Sequence, residues 1–420
     1  MYFSNKQKLL GFIYNILISL TSFVLKGIAL FNTKINKGVN GRKQTFAALK
    51  NNISKTDTCI WFHCASLGEY EQGLPVFKEI RKLYPNHKIV LTFFSPSGYE
   101  IRKDTEIANI VVYLPLDTKK NAKNFMDLVN PELTVFVKYD IWPNFLKELK
   151  KRNLKAILIS ALFRPNHSFF KFYGKEQRKA LFAFDHIFTQ NEASKTLLHT
   201  IGYNKVTVSG DTRFDRVYSQ LSQNNSLAFI EAFKQDSLCI VAGSTWPEDE
   251  NILLDYINKN ASEKLKFIIA PHNIKSAQID RFIKQLQVPS IKYSEKENKD
   301  ISKSTVFIMD TIGLLSKTYS YADIAYVGGA MGNTGLHNTL EPAVFGIPVL
   351  IGKNYKKFPE AFAMLEEGGM FTVKNKEELA FTLTELIQNR EKRERSGAQN
   401  LNYIKKNKEA VIQIIRYIRK

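Results

Sequence analysis

Short, wholly apolar runs rich in β-branched and aromatic residues alternate with longer stretches of helical spacing through most of the chain. In the first half these runs are CIWFHCAS (59–66), HKIVLTFFS (87–95), NIVVYLPLD (109–117), LTVFVK (133–138), KAILISAL (155–162), HIFTQN (186–191) and KVTVSG (205–210). Strands that are apolar on both faces, separated by helices, predict a parallel sheet covered on both sides. The pattern breaks at the polar stretch YSQLSQNNS (218–226) and resumes with LCIVAGST (238–245), LKFIIAP (265–271), TVFIMD (305–310), IAYVGG (324–329) and IPVLIG (347–352). The fold class predicted is therefore α/β, with a linker joining two doubly wound, Rossmann-like domains. The last stretch, from Arg393 onward, has helical spacing and a strong basic bias.

Before the first strand the pattern differs. Residues 9–25, LLGFIYNILISLTSFVL, run 17 residues without a charge, at the lower limit for crossing a bilayer. Lys6 and Lys8 precede it, and Lys26, Lys34, Lys37, Arg42 and Lys43 follow. An excess of bases on the following side puts the body of the protein on the cytoplasmic side. No small-residue cleavage site is evident, so a membrane-attached helix over residues 1–33, crossing the bilayer or lying in its interface, is expected in preference to a core helix.

The chain has 420 residues, enough for two or three domains, with 44% hydrophobic and 24% charged residues, a globular balance. Net charge is +20, from 60 basic and 40 acidic side chains, which suits a phosphate-bearing partner such as nucleic acid, an anionic membrane or a phosphorylated substrate. Three cysteines, Cys59, Cys64 and Cys239, form no CxxC spacing and suggest neither a disulfide framework nor structural zinc.

Ligands of open parallel sheets collect where strands end and helices begin. At one such point YVGGAMGNTGLHNTLEPAVFGIPVLIG (326–352) turns from strand to helix through a glycine-rich loop. Gly328, Gly329, Gly332 and Gly335 let backbone N–H groups approach an anion, with phosphate the natural guest. Asn338 reads as a helix N-cap and Glu341 as a first-turn carboxylate able to accept from a ribose diol. Ser244 and Thr245, Pro271 and His272, and Ile312, Gly313 and Leu314 stand at further turns of this kind. Any one of these further turns reads more often as simple helix capping. Together they favour a nucleotide crevice.

In the first half, SLGE places Glu69 at a sheet mouth, as a helix-dipole acid or as a general base. Lys138 and Asp140 stand at another strand end, and Asp211 and Arg213 near the domain junction. Arg213 is positioned to offset charge on a departing phosphate. His63 and His272 belong to no ligand cluster, and no metal or cofactor is expected.

Taken as a set, SLGE, WPN, GDTRFD, AGST, DTIGLL, GGAMGNTGLHNTLEP and FGIPVLIG resemble the 3-deoxy-D-manno-oct-2-ulosonic acid (Kdo) transferases of lipopolysaccharide assembly, in the family's motif order. The resemblance implies a GT-B glycosyltransferase whose two Rossmann-like domains face an interdomain cleft. Residues 34–215 would receive a lipid A precursor, residues 216–392 would hold CMP-Kdo, and residues 393–420 would form a basic helix. It implies Glu69 as proton acceptor, and CMP near Pro271 and His272, near Ile312, Gly313 and Leu314, and near Asn338, Thr339, Leu340 and Glu341. Lys138 and Asp140 stand where many relatives have two glutamates, so an assisting acidic role passes to Asp140. Arg213 replaces a family lysine, and PHN replaces PRH at 271–273.

The implied reaction is inverting transfer of Kdo from CMP-Kdo, with release of CMP, at the cytoplasmic face of the inner membrane. Its partners would be donor, acceptor and the anionic lipid surface, not nucleic acid. A nucleotide-sugar epimerase or hydrolase of the same architecture is the alternative enzyme. A basic RNA-binding or membrane-scaffold protein is the non-enzymatic one, although no RNP-like aromatic motif is present.

Overall fold

The computed structural model describes the backbone of residues 2–297 and 299–420, and the side chains of residues 13–297 and 299–420. It divides into two compact units, Met1–Arg216 with Lys408–Lys420, and Val217–Asn407.

The first unit is built on a seven-stranded parallel sheet: β1 (Cys59–Cys64), β2 (Lys88–Phe93), β3 (Ile110–Tyr113), β4 (Leu133–Val137), β5 (Lys155–Ala161), β6 (His186–Thr189) and β7 (Val206–Val208), in the order β3-β2-β1-β4-β5-β6-β7. Every apolar run read from the first half is one of these strands. The alternation of strand and helix forces crossovers over both faces, so strands such as β1 and β4 are buried throughout. Trp61 lies at the centre of one face, with Phe125, Phe136 and Phe145 at ring-centroid distances of 4.8, 5.1 and 5.7 Å.

Strand order reverses between β1 and β4, the point at which open sheets leave a crevice. The segments carrying Glu69 and Asp140 both leave the sheet there.

The second unit repeats the plan with β8 (Leu238–Thr245), β9 (Leu265–Pro271), β10 (Ser290–Lys292), β11 (Val306–Ile308), β12 (Ile324–Val327), β13 (Val349–Gly352) and β14 (Met370–Val373), in the order β10-β11-β9-β8-β12-β13-β14. Its reversal falls between β8 and β12, which end at Ser244–Thr245 and at the glycine loop. The apolar pattern identifies five of these strands. β10 and β14 are the two edges, short and only partly buried, so they carry no continuous apolar run.

The basic C-terminal stretch forms two helices in different units. The Arg390–Asn407 helix belongs to the second unit, whereas the Ala410–Ile418 helix belongs to the first. The Asp215 carboxylate accepts from the Glu409 and Ala410 N–H groups at 2.9 and 3.2 Å, fixing that return. Ile414 and Ile418 then join the cluster that contains Ile60 and Phe62, each burial contributing about 1.5–3 kcal/mol.

The N-terminal segment is helical: α1 (Tyr2–Ile28) is followed by α2 (Thr33–Asn52). No helix among the described residues is long and apolar enough to cross a membrane, so the spanning form of the N-terminal expectation is not supported. Tyr14, Asn15, Ser19, Thr21 and Ser22 interrupt the apolar run, and two of them attach α1 to the first unit. The Tyr14 hydroxyl donates to Asp117 at 2.7 Å, and Asn144 Nδ2 donates to Asn15 Oδ1 at 3.1 Å. The face turned away carries Ile13, Ile16, Leu17, Leu20, Val24 and Ile28, all exposed at helical spacing.

Of the bases flanking this segment, Lys6 and Lys8 lie outside the described side chains. Lys26, Lys34 and Lys43 are exposed. Arg42 is not a surface charge. Its guanidinium donates to Phe94 O at 2.5 Å and Leu114 O at 3.1 Å, tying together the segments that follow β2 and β3, and burial lowers its pKa to about 10.

Candidate active site

Glu69 lies in the first turn of α3 (Leu67–Leu83), which begins three residues beyond β1. Its Oε2 accepts from the Ser66 N–H at 3.1 Å, so the carboxylate does stabilise the helix start. The residue is 9% exposed, and Oε1 takes no part in that bond. Burial raises its pKa above the ordinary value of 4.5, the charge of Asp140 raises it further, and His63, the Ala65 backbone and Lys138 oppose the rise. A buried carboxylate with elevated proton affinity has the character of a general base.

Asp140 follows β4 through Lys138, whose φ of +71° lies in the left-handed region that non-glycine residues seldom adopt. The turn brings Asp140 Oδ2 within 2.5 Å of His63 Nε2. Arg213 lies in the Thr212–Ser219 helix after β7, where its Nε donates to Asp211 Oδ2 at 2.8 Å. Asp211 in turn accepts from Gln72 Nε2 on α3 at 2.8 Å. Arg213 is therefore anchored in the first unit, with part of its guanidinium engaged by a buried acid.

In the second unit β8 ends at a bulge where Ser244 has φ +52°. The Thr245 hydroxyl is buried on Glu250 at 3.1 Å, which makes it a structural contact. Gly328 must be glycine, since an added Cβ would meet Ser244 O at 2.4 Å. Gly329 has φ +94°.

One amide of the expected phosphate cradle, that of Gly329, is engaged from within its own unit. Asp249 Oδ2 accepts from the Gly329 and Trp246 N–H groups at 2.8 and 2.9 Å, and Oδ1 accepts from the Tyr326 hydroxyl at 2.7 Å. The glycine loop thus wraps a buried carboxylate of its own unit, because Asp249 stands in the first turn of the Pro247–Asn260 helix that leaves β8.

The residues after this loop reach the same end of the sheet. Asn338 Oδ1 accepts from the Leu340 N–H at 3.2 Å, and its Nδ2 donates to Glu341 Oε1 at 3.0 Å. The helix itself starts later than the Asn338 cap predicts, at Leu340, with Glu341 in its first turn as expected. Leu340 is fully buried. The Thr339 hydroxyl is also buried, and it has no hydrogen-bond partner among the described residues.

Pro271 closes β9, and the His272 N–H donates to Thr245 O at 2.9 Å. Ile312 is 88% exposed, Gly313 has φ +91°, and Leu314 precedes the Leu315–Thr318 helix.

A stack of three rings was not anticipated. Trp246 lies 4.8 Å from His272, and His272 lies 4.4 Å from His337. Trp246 Nε1 donates to His337 Nε2 at 3.0 Å. A ring that accepts at Nε2 carries its neutral proton on Nδ1. Burial, then the neighbouring His272, lowers the His337 pKa to about 4, so the ring is neutral at pH 7. His337 was legible in GLHNTLEP only as a letter beside Asn338, since its importance comes from a tryptophan 91 positions away. The sequence offers His63 no role beyond the metal-ligand one, because its partners Thr92 and Asp140 lie on other strands and turns.

Residues 40–216 match the family model described as 3-deoxy-D-manno-octulosonic-acid transferase. The 3-deoxy-D-manno-octulosonic acid transferase of Aquifex aeolicus is 30% identical over 342 residues, covering 80% of this chain and 88% of that protein. The chain belongs to the Kdo transferase family. It is accordingly a glycosyltransferase of lipopolysaccharide biosynthesis. The Kdo transferase of Haemophilus influenzae is 28% identical, with 85% of each chain covered. A bifunctional glycosyltransferase/methyltransferase of Fusobacterium nucleatum is 28% identical over 91% of this chain, which spans 59% of that longer protein.

Among solved structures, UDP-GlcNAc 2-epimerase from Neisseria meningitidis bound to UDP-GlcNAc superposes with a TM-score of 0.60 at 16% identity, over 86% of this chain and 99% of that one. At that identity the likeness shows the fold: this Kdo transferase has two parallel-sheet α/β domains of the GT-B kind.

Proposed function

We propose that this protein transfers Kdo from CMP-Kdo to a lipid A precursor with inversion at the anomeric carbon. Glu69 takes the proton of the attacking sugar hydroxyl, a C–O bond forms at the anomeric carbon, and the bond from that carbon to the phosphate oxygen breaks as CMP departs. The observation that carries this reading is a buried Glu69 at the topological switch point, with Oε1 outside the capping bond and proton affinity elevated.

On the donor side, Glu341 offers a carboxylate to the ribose, and Thr339 offers a buried hydroxyl with no present partner. Arg213, whose Nε is held by Asp211, supplies the positive charge that offsets the phosphate. His337 adds a Nδ1–H donor whose tautomer Trp246 fixes. His337→Ala is expected to weaken CMP binding about fivefold, the value of roughly 1 kcal/mol for one neutral hydrogen bond, by calorimetric titration. Unchanged affinity would remove His337 from the donor site.

The exposed apolar face of α1 and the neighbouring lysines support attachment to the cytoplasmic face of the inner membrane, with the helix lying in the interface. The double change Leu17→Glu and Leu20→Glu is expected to cut sedimentation with anionic vesicles at least about tenfold, since each buried leucine contributes about 1.5–3 kcal/mol. Binding equal to that of the unaltered protein would exclude this face.

The activity itself is tested with CMP-Kdo and a tetraacylated lipid A precursor. The expected product, read by mass spectrometry, is acceptor bearing Kdo. CMP-Kdo turned over equally without acceptor would instead indicate a hydrolase.

A further inference from the structure

Proton bookkeeping around His63 gives this ring a task beyond filling the core. His63 is fully buried on β1, and both of its nitrogens are engaged. Nδ1 lies 2.7 Å from the Thr92 hydroxyl on β2, and that hydroxyl also accepts from Trp61 Nε1 at 2.8 Å. Phe136 and Trp142 stand edge-on to the imidazole at centroid distances of 5.4 and 6.0 Å, so its orientation is fixed.

Nε2 faces Asp140 Oδ2 at 2.5 Å and also receives the indole N–H of Trp142 at 2.9 Å. Two bare acceptor atoms do not rest 2.5 Å apart, so a proton lies between His63 and Asp140. If Nε2 carries it, Trp142 loses its acceptor. If Asp140 carries it, Nε2 remains bare and takes the indole N–H. The contact holds one proton either way.

We propose that His63 is a positioning residue for the transfer reaction, sharing this proton with Asp140 and holding that carboxyl within electrostatic reach of Glu69. The assignment rests on the reading of Glu69 given above. The ionisable groups around the cluster are Glu69 on α3, Asp140 and Lys138 after β4, and the buried Cys64 thiol on β1, with Glu71 further along α3. Asp140 raises the proton affinity of Glu69, whereas His63 and Lys138 lower it. The pair therefore balances the field at the base, and the Trp61–Thr92–His63 chain fixes where Asp140 sits.

The test compares His63→Gln and Thr92→Val with the unaltered full-length protein, measuring kcat and donor KM across pH with CMP-Kdo and acceptor. Glutamine can hydrogen-bond Asp140 but cannot carry the proton. Valine keeps the volume of Thr92 and releases Nδ1. His63→Gln is expected to lower kcat by roughly 10- to 100-fold with donor KM within about twofold. Without His63 the base binds its proton more tightly, so the acid limb of kcat moves to higher pH, by about half a unit or more. Thr92→Val shifts the limb the same way by less, and decides the matter alone if His63→Gln does not fold.

A lowered kcat on an unshifted pH profile, or a kcat within about twofold of the unaltered enzyme, overturns the positioning role. Absence of transfer by the unaltered protein overturns the parent reading instead.

Discussion

Replacing Glu69 by Gln is expected to slow Kdo transfer about 10²- to 10⁴-fold while leaving CMP binding unchanged, because the substitution removes the proton acceptor and little else. The amide oxygen can still accept from the Ser66 N–H, so the start of α3 survives at a cost of about 1 kcal/mol or less. The proposed nucleotide-binding residues His337, Thr339 and Glu341 belong to the other compact unit. The loss should therefore appear in kcat and not in donor KM.

The pH dependence has a defined sign. In the proposed reaction Glu69 acts as the ionised carboxylate, and the ionised fraction falls as pH drops through its pKa. Burial and Asp140 raise that pKa above the ordinary 4.5, so the acid limb of kcat in the unaltered enzyme begins at higher pH than a solvated glutamate would give. Near-normal turnover by a folded Glu69→Gln protein would remove Glu69 from the chemistry. An acid limb at the ordinary glutamate position would contradict the elevated proton affinity.

What was legible in the chain follows from where physics is local. The central strands are apolar on both faces, so their letters reveal them without knowledge of neighbours, and their alternation with helices fixes a doubly wound fold. Edge strands β10 and β14 carry no such run, because an edge is only partly covered. Glu69 was legible because a strand-to-helix turn is a short-range feature that also reports the sheet end.

The partners of these residues were not legible. His63 meets Asp140 from 77 positions away, and Trp246 meets His337 across 91, each through a crossover that a linear reading does not close. The glycine loop hides a partner for a related reason. Its composition announces amides converging on an anion, and Asp249, 80 residues before Gly329, takes the amide of Gly329. Arg42 likewise read as a membrane-facing base, since nothing near it in sequence reveals the carbonyls of Phe94 and Leu114 that it binds.

Asp249→Ala is expected to be the most destabilising single change in the second unit. The carboxylate is fully buried and joins three segments: the start of its own helix through the Trp246 N–H, β12 through the Tyr326 hydroxyl, and the loop through the Gly329 N–H. Alanine leaves these donors in a buried site without an acceptor. Each orphaned donor costs about 1–3 kcal/mol, and with partial rearrangement the sum is roughly 4 kcal/mol. For a unit of this size that lowers the midpoint of thermal unfolding by roughly 10 °C.

The effect should be confined to one unit. Amide exchange is expected to accelerate in β8, β12 and the glycine loop, while β1 and β4 keep their protection. Asn should fall between Asp and Ala, because its amide oxygen can still accept from the Trp246 and Gly329 N–H groups while its NH2 replaces the oxygen that accepts from the Tyr326 hydroxyl. If the donor site is as proposed, CMP binding is expected to fail by the same route, since Trp246 orients His337 and the loop leads directly to Asn338 and Glu341. CMP should accordingly cease to raise the unfolding midpoint of the alanine variant. A midpoint and a Gly329 exchange rate equal to those of the unaltered protein would show that the loop holds its shape without the carboxylate, and its amides would again be candidates for an external phosphate.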